Sequence, residues 1–122
     1  MNASILKHLL VVRDLYRAIR EITARVMADF SIEALDAAIM QRSLLLLRIE
    51  SERDVLDRLC VPNSWKGFAE YEEIRGHITA LATLDREAGA RVTTRMNTIR
   101  CELVSLTDTS RAARSYTRNS NF

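Results

Sequence analysis

The side chains best suited to chemistry are two histidines, His8 and His77, and two cysteines, Cys60 and Cys101. Metal sites place such residues at short, regular spacings, such as two cysteines two residues apart or His and a carboxylate one helical turn apart. Neither histidine is followed by His, Asp or Glu four positions later, and the cysteines are far apart. We therefore expect no metal and no other cofactor.

Enzymatic activity is not expected either. The chain has no glycine-rich loop that could cradle a phosphate and no serine in a nucleophile elbow. With only three glycines, it could not build either motif. Functions that depend on binding other macromolecules are therefore favoured.

The C-terminal tail is basic, because no acidic residue follows Asp108 while Arg111, Arg114 and Arg118 remain. Arginines interleaved with an aromatic residue such as Tyr116 can bind phosphate and stack on bases. Three arginines are too few to indicate nucleic acid, and the whole chain carries a net charge of only +2. A tail that is solvated or contacts a protein partner is the favoured interpretation.

The composition predicts an all-helical fold, because glycine and proline are scarce and good helix formers dominate. Residues 5–30 carry apolar side chains at helical spacing, and Ser31 can cap a second helix that runs to about Leu59. Pro62 ends that helix. Trp65 and Phe68 are expected to plug the end of the bundle.

Four consecutive leucines, Leu44 to Leu47, surround the second helix with apolar surface. Successive residues of a helix point in different directions, so such a run must be covered on several sides. Two neighbouring helices can provide that cover. The alternative is that part of the run is reserved for a partner.

A long third helix is predicted from Phe68 to Leu106, with Gly76 and Gly89 marking close approach of another helix or a hinge. The apolar pattern stops near residues 107–110, where Asp108 or Thr109 can cap a fourth helix. The predicted fold is all-α. It is an antiparallel helical hairpin or three-helix bundle with a short C-terminal fourth helix, within a single domain of residues 1–122. Residues 108–122 form the short mobile helix and a frayed tail.

The apolar run from Ile5 to Val12 is interrupted by Lys7 and His8, which excludes a signal peptide or a membrane-spanning segment there. Two free, buried thiols are typical of a reducing compartment. We therefore expect a cytoplasmic protein that does not insert into membranes.

The order of these elements resembles the small cytoplasmic chaperones of flagellar type III export. The matching residues are Leu84 to Glu87, the spaced apolar and basic residues from Arg100 to Leu106, and Arg111 to Tyr116. The pattern is most like the filament-cap chaperone family (FliT-like), and less like the hook-filament junction chaperone family (FlgN-like). Ser115 and Thr117 depart from the alanine and glycine usual around the family's tyrosine.

The resemblance implies a protein that binds the C-terminal amphipathic helix of an export subunit, prevents its premature assembly and delivers it to the export gate and export ATPase complex. The last helix would cover the binding groove and swing away, and Tyr116 would contact the export machinery. The expected partner-binding residues are Leu44, Leu47, Ile74, Ile78, Leu81, Ala112, Ala113 and Tyr116. The alternative is a self-associating helical scaffold, since apolar stripes also pair with copies of themselves, and homo-oligomerisation is left open.

Overall fold

The computed structural model describes the backbone of residues 2–120 and the side chains of residues 3–115. It contains three α-helices, α1 (Asn2–Ala28), α2 (Ile32–Leu59) and α3 (Tyr71–Ser120), with a short 3-10 helix at Ser64–Gly67 between α2 and α3. The described residues include no strand, which confirms the all-α prediction. The chain divides into two units, Met1–Glu87 and Ala88–Phe122, called unit 1 and unit 2 below.

The hydrophobic core of unit 1 is built around α1. The apolar residues predicted to recur along this helix are indeed buried, because each lies three, four or seven positions from the next and all share one face. The core cluster consists of Ile5, Leu9, Val12, Leu15, Ile19, Ile49, Leu56, Trp65, Ile74 and Leu81. All three α-helices and the 3-10 helix contribute to it.

A three-residue connection makes α1 and α2 an antiparallel pair. Ser31 precedes α2 in extended conformation, and its Oγ accepts a hydrogen bond of 3.0 Å from the backbone N–H of Ala34. This confirms the predicted helix cap. Further along, His8 Nδ1 and Glu52 Oε2 are hydrogen-bonded, which fixes the pairing of the opposite ends of the two helices.

Ion pairs and a hydrogen bond join the first part of α3 to α1 and α2. Arg17 donates to Glu73 over 2.7 Å, and Arg20 Nη1 lies 3.2 Å from His77 Nδ1. Arg42 of α2 donates to both carboxylate oxygens of Asp85, over 2.7 and 3.0 Å. Sequence patterns gave no indication of these contacts, and Arg17, Arg20 and Asp85 were expected to belong to solvated charged faces. In the structure they join helices, and their order along the chain shows that the first part of α3 runs parallel to α1 and antiparallel to α2.

The predicted boundaries of the third helix are not those of the structure. The helix begins at Tyr71 rather than Phe68 and continues to Ser120 rather than ending at Leu106, so a separate fourth helix is not shown. No proline or glycine lies in residues 90–120. The hydroxyls of Thr107 and Thr109 donate to the carbonyls of Leu103 and Ser105 one turn earlier, as in a helix interior.

The two glycines inside α3 are not explained by close packing within the chain. A Cβ atom added at Gly76 or Gly89 would meet nothing within 4 Å. The predicted close approach of another helix is therefore absent from the part of the chain that the structure describes. Each glycine lowers helix stability by about 1 kcal/mol relative to alanine.

The two cysteines are free thiols in different environments. Cys60 is partly buried, and its Sγ donates to the carbonyl of Leu56 over 3.2 Å. Cys101 is exposed, so the prediction that both thiols are buried is wrong for this residue.

Candidate partner-binding groove

An open groove lies on unit 1 alongside α2. It has a volume of about 500 Å³. Its lining consists of Tyr16 from α1 and of Ser43, Leu46, Leu47, Ile49, Glu50 and Arg53 from α2. We call this feature the α2 groove. Because Ile49 is buried and Leu46 and Leu47 are exposed, the α2 groove has an apolar surface open to solvent.

A smaller cavity of about 110 Å³ adjoins the α2 groove. It is lined by Val12, Tyr16, Arg53, Trp65, Lys66, Tyr71 and Ile78. Tyr16 and Arg53 line both spaces, so the cavity and the groove are neighbours at these two side chains.

The leucine run of α2 is only partly covered. Leu45 packs against the core. Leu44, Leu46 and Leu47 are 67%, 43% and 59% exposed. Cover by two neighbouring helices is thus not seen for these three side chains. With Met40, which is 72% exposed, Leu44 and Leu47 form a continuous exposed stripe at i, i+4 and i+7.

Charged side chains of both signs lie at the cavity and the adjoining part of the groove: Arg53 and Lys66 are basic, and Glu50 and Asp57 are acidic. Arg53 and Lys66 both lie over the Trp65 ring system, with their charged groups 5.8 and 5.6 Å from the ring centroid. Glu50 is an acidic residue of the lining. Burial raises the pKa of the Tyr16 hydroxyl, although the nearby Arg53 opposes this. Tyr16 therefore stays neutral and can donate a hydrogen bond.

Asp57 fixes the segment that closes this end of the bundle. One of its carboxylate oxygens, Oδ1, accepts hydrogen bonds from the backbone N–H of Asn63 (3.0 Å) and from Trp65 Nε1 (2.7 Å). Asn63 has a left-handed backbone conformation with φ of 67°, which asparagine tolerates better than most residues. In this arrangement Trp65 is 2% exposed. Its ring packs edge to face against that of Tyr71, with the ring centroids 5.5 Å apart. The prediction that Trp65 and Phe68 plug the bundle end is confirmed for Trp65, whereas Phe68 is only partly buried against the core.

The structure does not bring the predicted partner-binding residues together at one site. Leu47 lines the α2 groove, Leu44 is exposed beside it, and Ile78 lines the cavity. Ile74 and Leu81 belong to the core, where they are 0% and 7% exposed. The other three lie in unit 2: Ala112 and Ala113 are exposed, and Tyr116 lies outside the described side chains.

Sequence reasoning did not identify Tyr16, Arg53 or Asp57 as parts of this site. Tyr16 flanks the apolar stripe of α1, and its polar hydroxyl was the one feature that could have indicated a place at the edge of the core. Arg53 and Asp57 belong to a run of alternating charges, Glu50 to Arg58, in which nothing distinguishes a hydrogen-bond acceptor for another element from a solvated charge. Their partners lie on other elements, so only the fold reveals them.

Acid should destabilise unit 1 through two carboxylates. Hydrogen bonds from Asn63 and Trp65 lower the pKa of Asp57, and the hydrogen bond from Arg17 lowers the pKa of Glu73. Their stabilisation is complete above about pH 5, where both groups are also ionised in the unfolded chain. It is lost as pH falls through the lower pKa values of the folded state.

We expect the urea midpoint to fall steadily between about pH 5 and pH 3. Asp57→Asn should be less stable at neutral pH and lose stability less steeply on acidification. Asp54→Asn is the matched control, since the Asp54 carboxylate makes no hydrogen bond or ion pair with any described residue. Equal pH profiles for both variants would show that Asp57 does not carry this effect.

Comparison with known protein families, curated proteins and solved structures gives no match. Among the described residues, no helix is long and apolar enough to cross a membrane. The same part of the chain contains no group of three or more His, Cys, Asp or Glu residues that could hold a metal ion. The flagellar chaperone resemblance therefore stays a prediction.

Proposed function

We propose that the protein is a cytoplasmic flagellar export chaperone that binds the C-terminal amphipathic helix of an export subunit in the α2 groove. The observation that carries this proposal is the exposed apolar stripe of Met40, Leu44 and Leu47 beside an open groove of about 500 Å³. The resemblance supplies the class of partner, a filament-cap or hook-filament junction protein.

An amphipathic helix fits the α2 groove better than an extended peptide does. The exposed side chains recur with the i, i+4, i+7 spacing that allows one helix to pack along another. An extended peptide would need unpaired backbone groups as hydrogen-bond partners, whereas the groove is lined by side chains of two helices.

On this proposal, covering the groove prevents premature assembly, because the subunit's own polymerisation helix is occupied. Delivery to the export gate and ATPase complex is assigned to the C-terminal segment containing Ala112, Ala113 and Tyr116, following the resemblance. The finer proposal that residues 108–122 act as a separable cover requires α3 to break near residues 107–110. The side chains of Ala112 and Ala113 are exposed, so a break there would not have to disrupt any buried contact of these two residues.

The α2 groove is tested by Leu47→Glu. Leu47 is 59% exposed, so the charge should leave folding intact but abolish capture of a peptide corresponding to the subunit's C-terminal helix. We expect at least about a tenfold weakening, measured by isothermal titration calorimetry with filament-cap and junction-protein peptides.

Val61→Glu is the matched control, because Val61 is 73% exposed and does not line the groove. Binding that survives Leu47→Glu unchanged would place the subunit elsewhere. No binding of either peptide by the unmodified protein would remove the chaperone proposal.

The second candidate is a self-associating structural protein. It is favoured by a different observation, the exposed apolar residues of unit 2. Capture of a flagellar subunit at low protein concentration, where the chain is monomeric, would distinguish a chaperone from a purely structural role.

A further inference from the structure

Unit 2 carries an apolar stripe that none of its own described residues cover. Met96, Ile99, Leu103 and Leu106 are 56%, 43%, 59% and 64% exposed, and Val92 is half-buried. Residues 89, 92, 96, 99, 103 and 106 are separated alternately by three and four positions. This is the spacing of the two seam positions in a coiled coil. We call these six residues the unit 2 seam.

A single helix cannot bury such an apolar stripe by itself, so the stripe does not stabilise it. Isolated helices in water are marginal, and most helical stability in proteins comes from packing of the apolar face. The helix from residue 88 to residue 120 therefore calls for a partner helix along the unit 2 seam.

We propose that the partner is a second copy of this chain, packed antiparallel along the unit 2 seam. In this register, Met96 faces Ile99 of the second copy, Val92 faces Leu103, and Gly89 faces Leu106. The arrangement has twofold symmetry, so each contact occurs twice.

The charges flanking the unit 2 seam select this register. Arg95 and Glu102 lie beside the seam, and their charged groups make no hydrogen bond or ion pair with any described residue. In the proposed register, Arg95 of one copy faces Glu102 of the other, twice. In a parallel dimer, Arg95 would face Arg100. In the antiparallel register shifted by one heptad, Glu102 would face Glu102 and Arg100 would face Arg100, so like charges oppose both alternatives.

Gly89 supports the same register independently. It costs helix stability, and no described atom beyond its own helical turn would lie within 4 Å of a Cβ added there. Opposite the large Leu106 of a second copy, a glycine allows close approach of the two helices. The register chosen by charge therefore also places the smallest residue of the seam against one of its largest.

The size of the surface sets the expected affinity. The exposed apolar side chains of two seams would bury on the order of 1,000 Å², the lower end of the range for specific interfaces. We expect a monomer–dimer equilibrium in the micromolar range, which weakens at high salt because the flanking ion pairs are screened.

The test is sedimentation equilibrium of the full chain and its charge variants from micromolar to submillimolar concentration. Arg95→Glu and Glu102→Arg should each weaken dimerisation by about tenfold, since each replaces two attractions with two repulsions. The double variant restores the attraction with reversed signs and should return to within about threefold of the original. Arg111→Glu, an equal charge reversal in unit 2 away from the seam, should have little effect.

Two results would overturn the proposal. A chain that remains monomeric throughout would show that no second copy binds the unit 2 seam. Stronger dimerisation of Arg95→Glu would indicate a parallel pair, because the introduced carboxylate would then attract Arg100 of the other copy. The α2 groove takes no part in either outcome, so the chaperone proposal and the dimer proposal can fail separately.

Discussion

Ile74→Glu is expected to unfold unit 1, whereas Leu47→Glu should leave it folded. Ile74 is 0% exposed and belongs to the core cluster, so an ionised carboxylate there would be buried without a partner. We expect a loss of about 4 kcal/mol or more in the free energy of unfolding, a large part of the total for a domain of this size. Urea unfolding followed by circular dichroism measures the difference.

The two variants make the same chemical change on two apolar residues of similar size. Leu47 is 59% exposed, and a surface substitution there should change stability by about 0.5 kcal/mol or less. A similar loss of stability in both variants would mean that the leucine run is covered in solution. The α2 groove would then not be open to a partner.

Trp65→Ala should have the other large effect on stability. The side chain is 2% exposed, fills the end of the bundle between α2 and α3, and donates from Nε1 to Asp57. Removing it creates a cavity and leaves the carboxylate with one hydrogen bond fewer. We expect a loss of about 3–5 kcal/mol in the free energy of unfolding, measured by chemical denaturation.

Trp65→Phe separates packing from hydrogen bonding. It keeps much of the aromatic volume but cannot donate to Asp57, so we expect an intermediate loss of about 1–3 kcal/mol. If the phenylalanine variant were as unstable as the alanine variant, the Nε1 hydrogen bond rather than packing would dominate. If both were near the original stability, Trp65 would not be the anchor of this end of the bundle.

Local chemistry predicted much of the fold from the sequence. The stripe of α1 and the Ser31 cap are confirmed, because periodic burial and capping depend only on residues near one another in the chain. The end of α3 was predicted at the wrong place. Loss of the apolar stripe and the presence of Asp108 suggested a break, but threonine hydroxyls bonded to preceding carbonyls allow the helix to continue.

The candidate site was less predictable. Leu47 and Ile78 could be selected from exposed apolar patterns, yet Ile74 and Leu81 lie on the same predicted stripe and are core residues. When an apolar stripe is wide enough to include both core residues and exposed residues, the sequence pattern does not show which residues are which. That division is set by which residues of α3 pack into the core cluster formed with α1 and α2, and those contacts join residues far apart in the sequence.

The short connection between α1 and α2 has a consequence for the order of folding. These two helices are joined by residues 29–31 alone, so they can pair as soon as both have left the ribosome. Helical hairpins dominated by contacts near in sequence form rapidly, whereas docking of α3 must close a much longer loop. Until Ile74 and Trp65 arrive, the face of α1 that they cover remains open to solvent. The nascent chain therefore passes through a stage in which one apolar face of α1 is exposed. At that stage, this face is the surface most able to bind other unfolded chains.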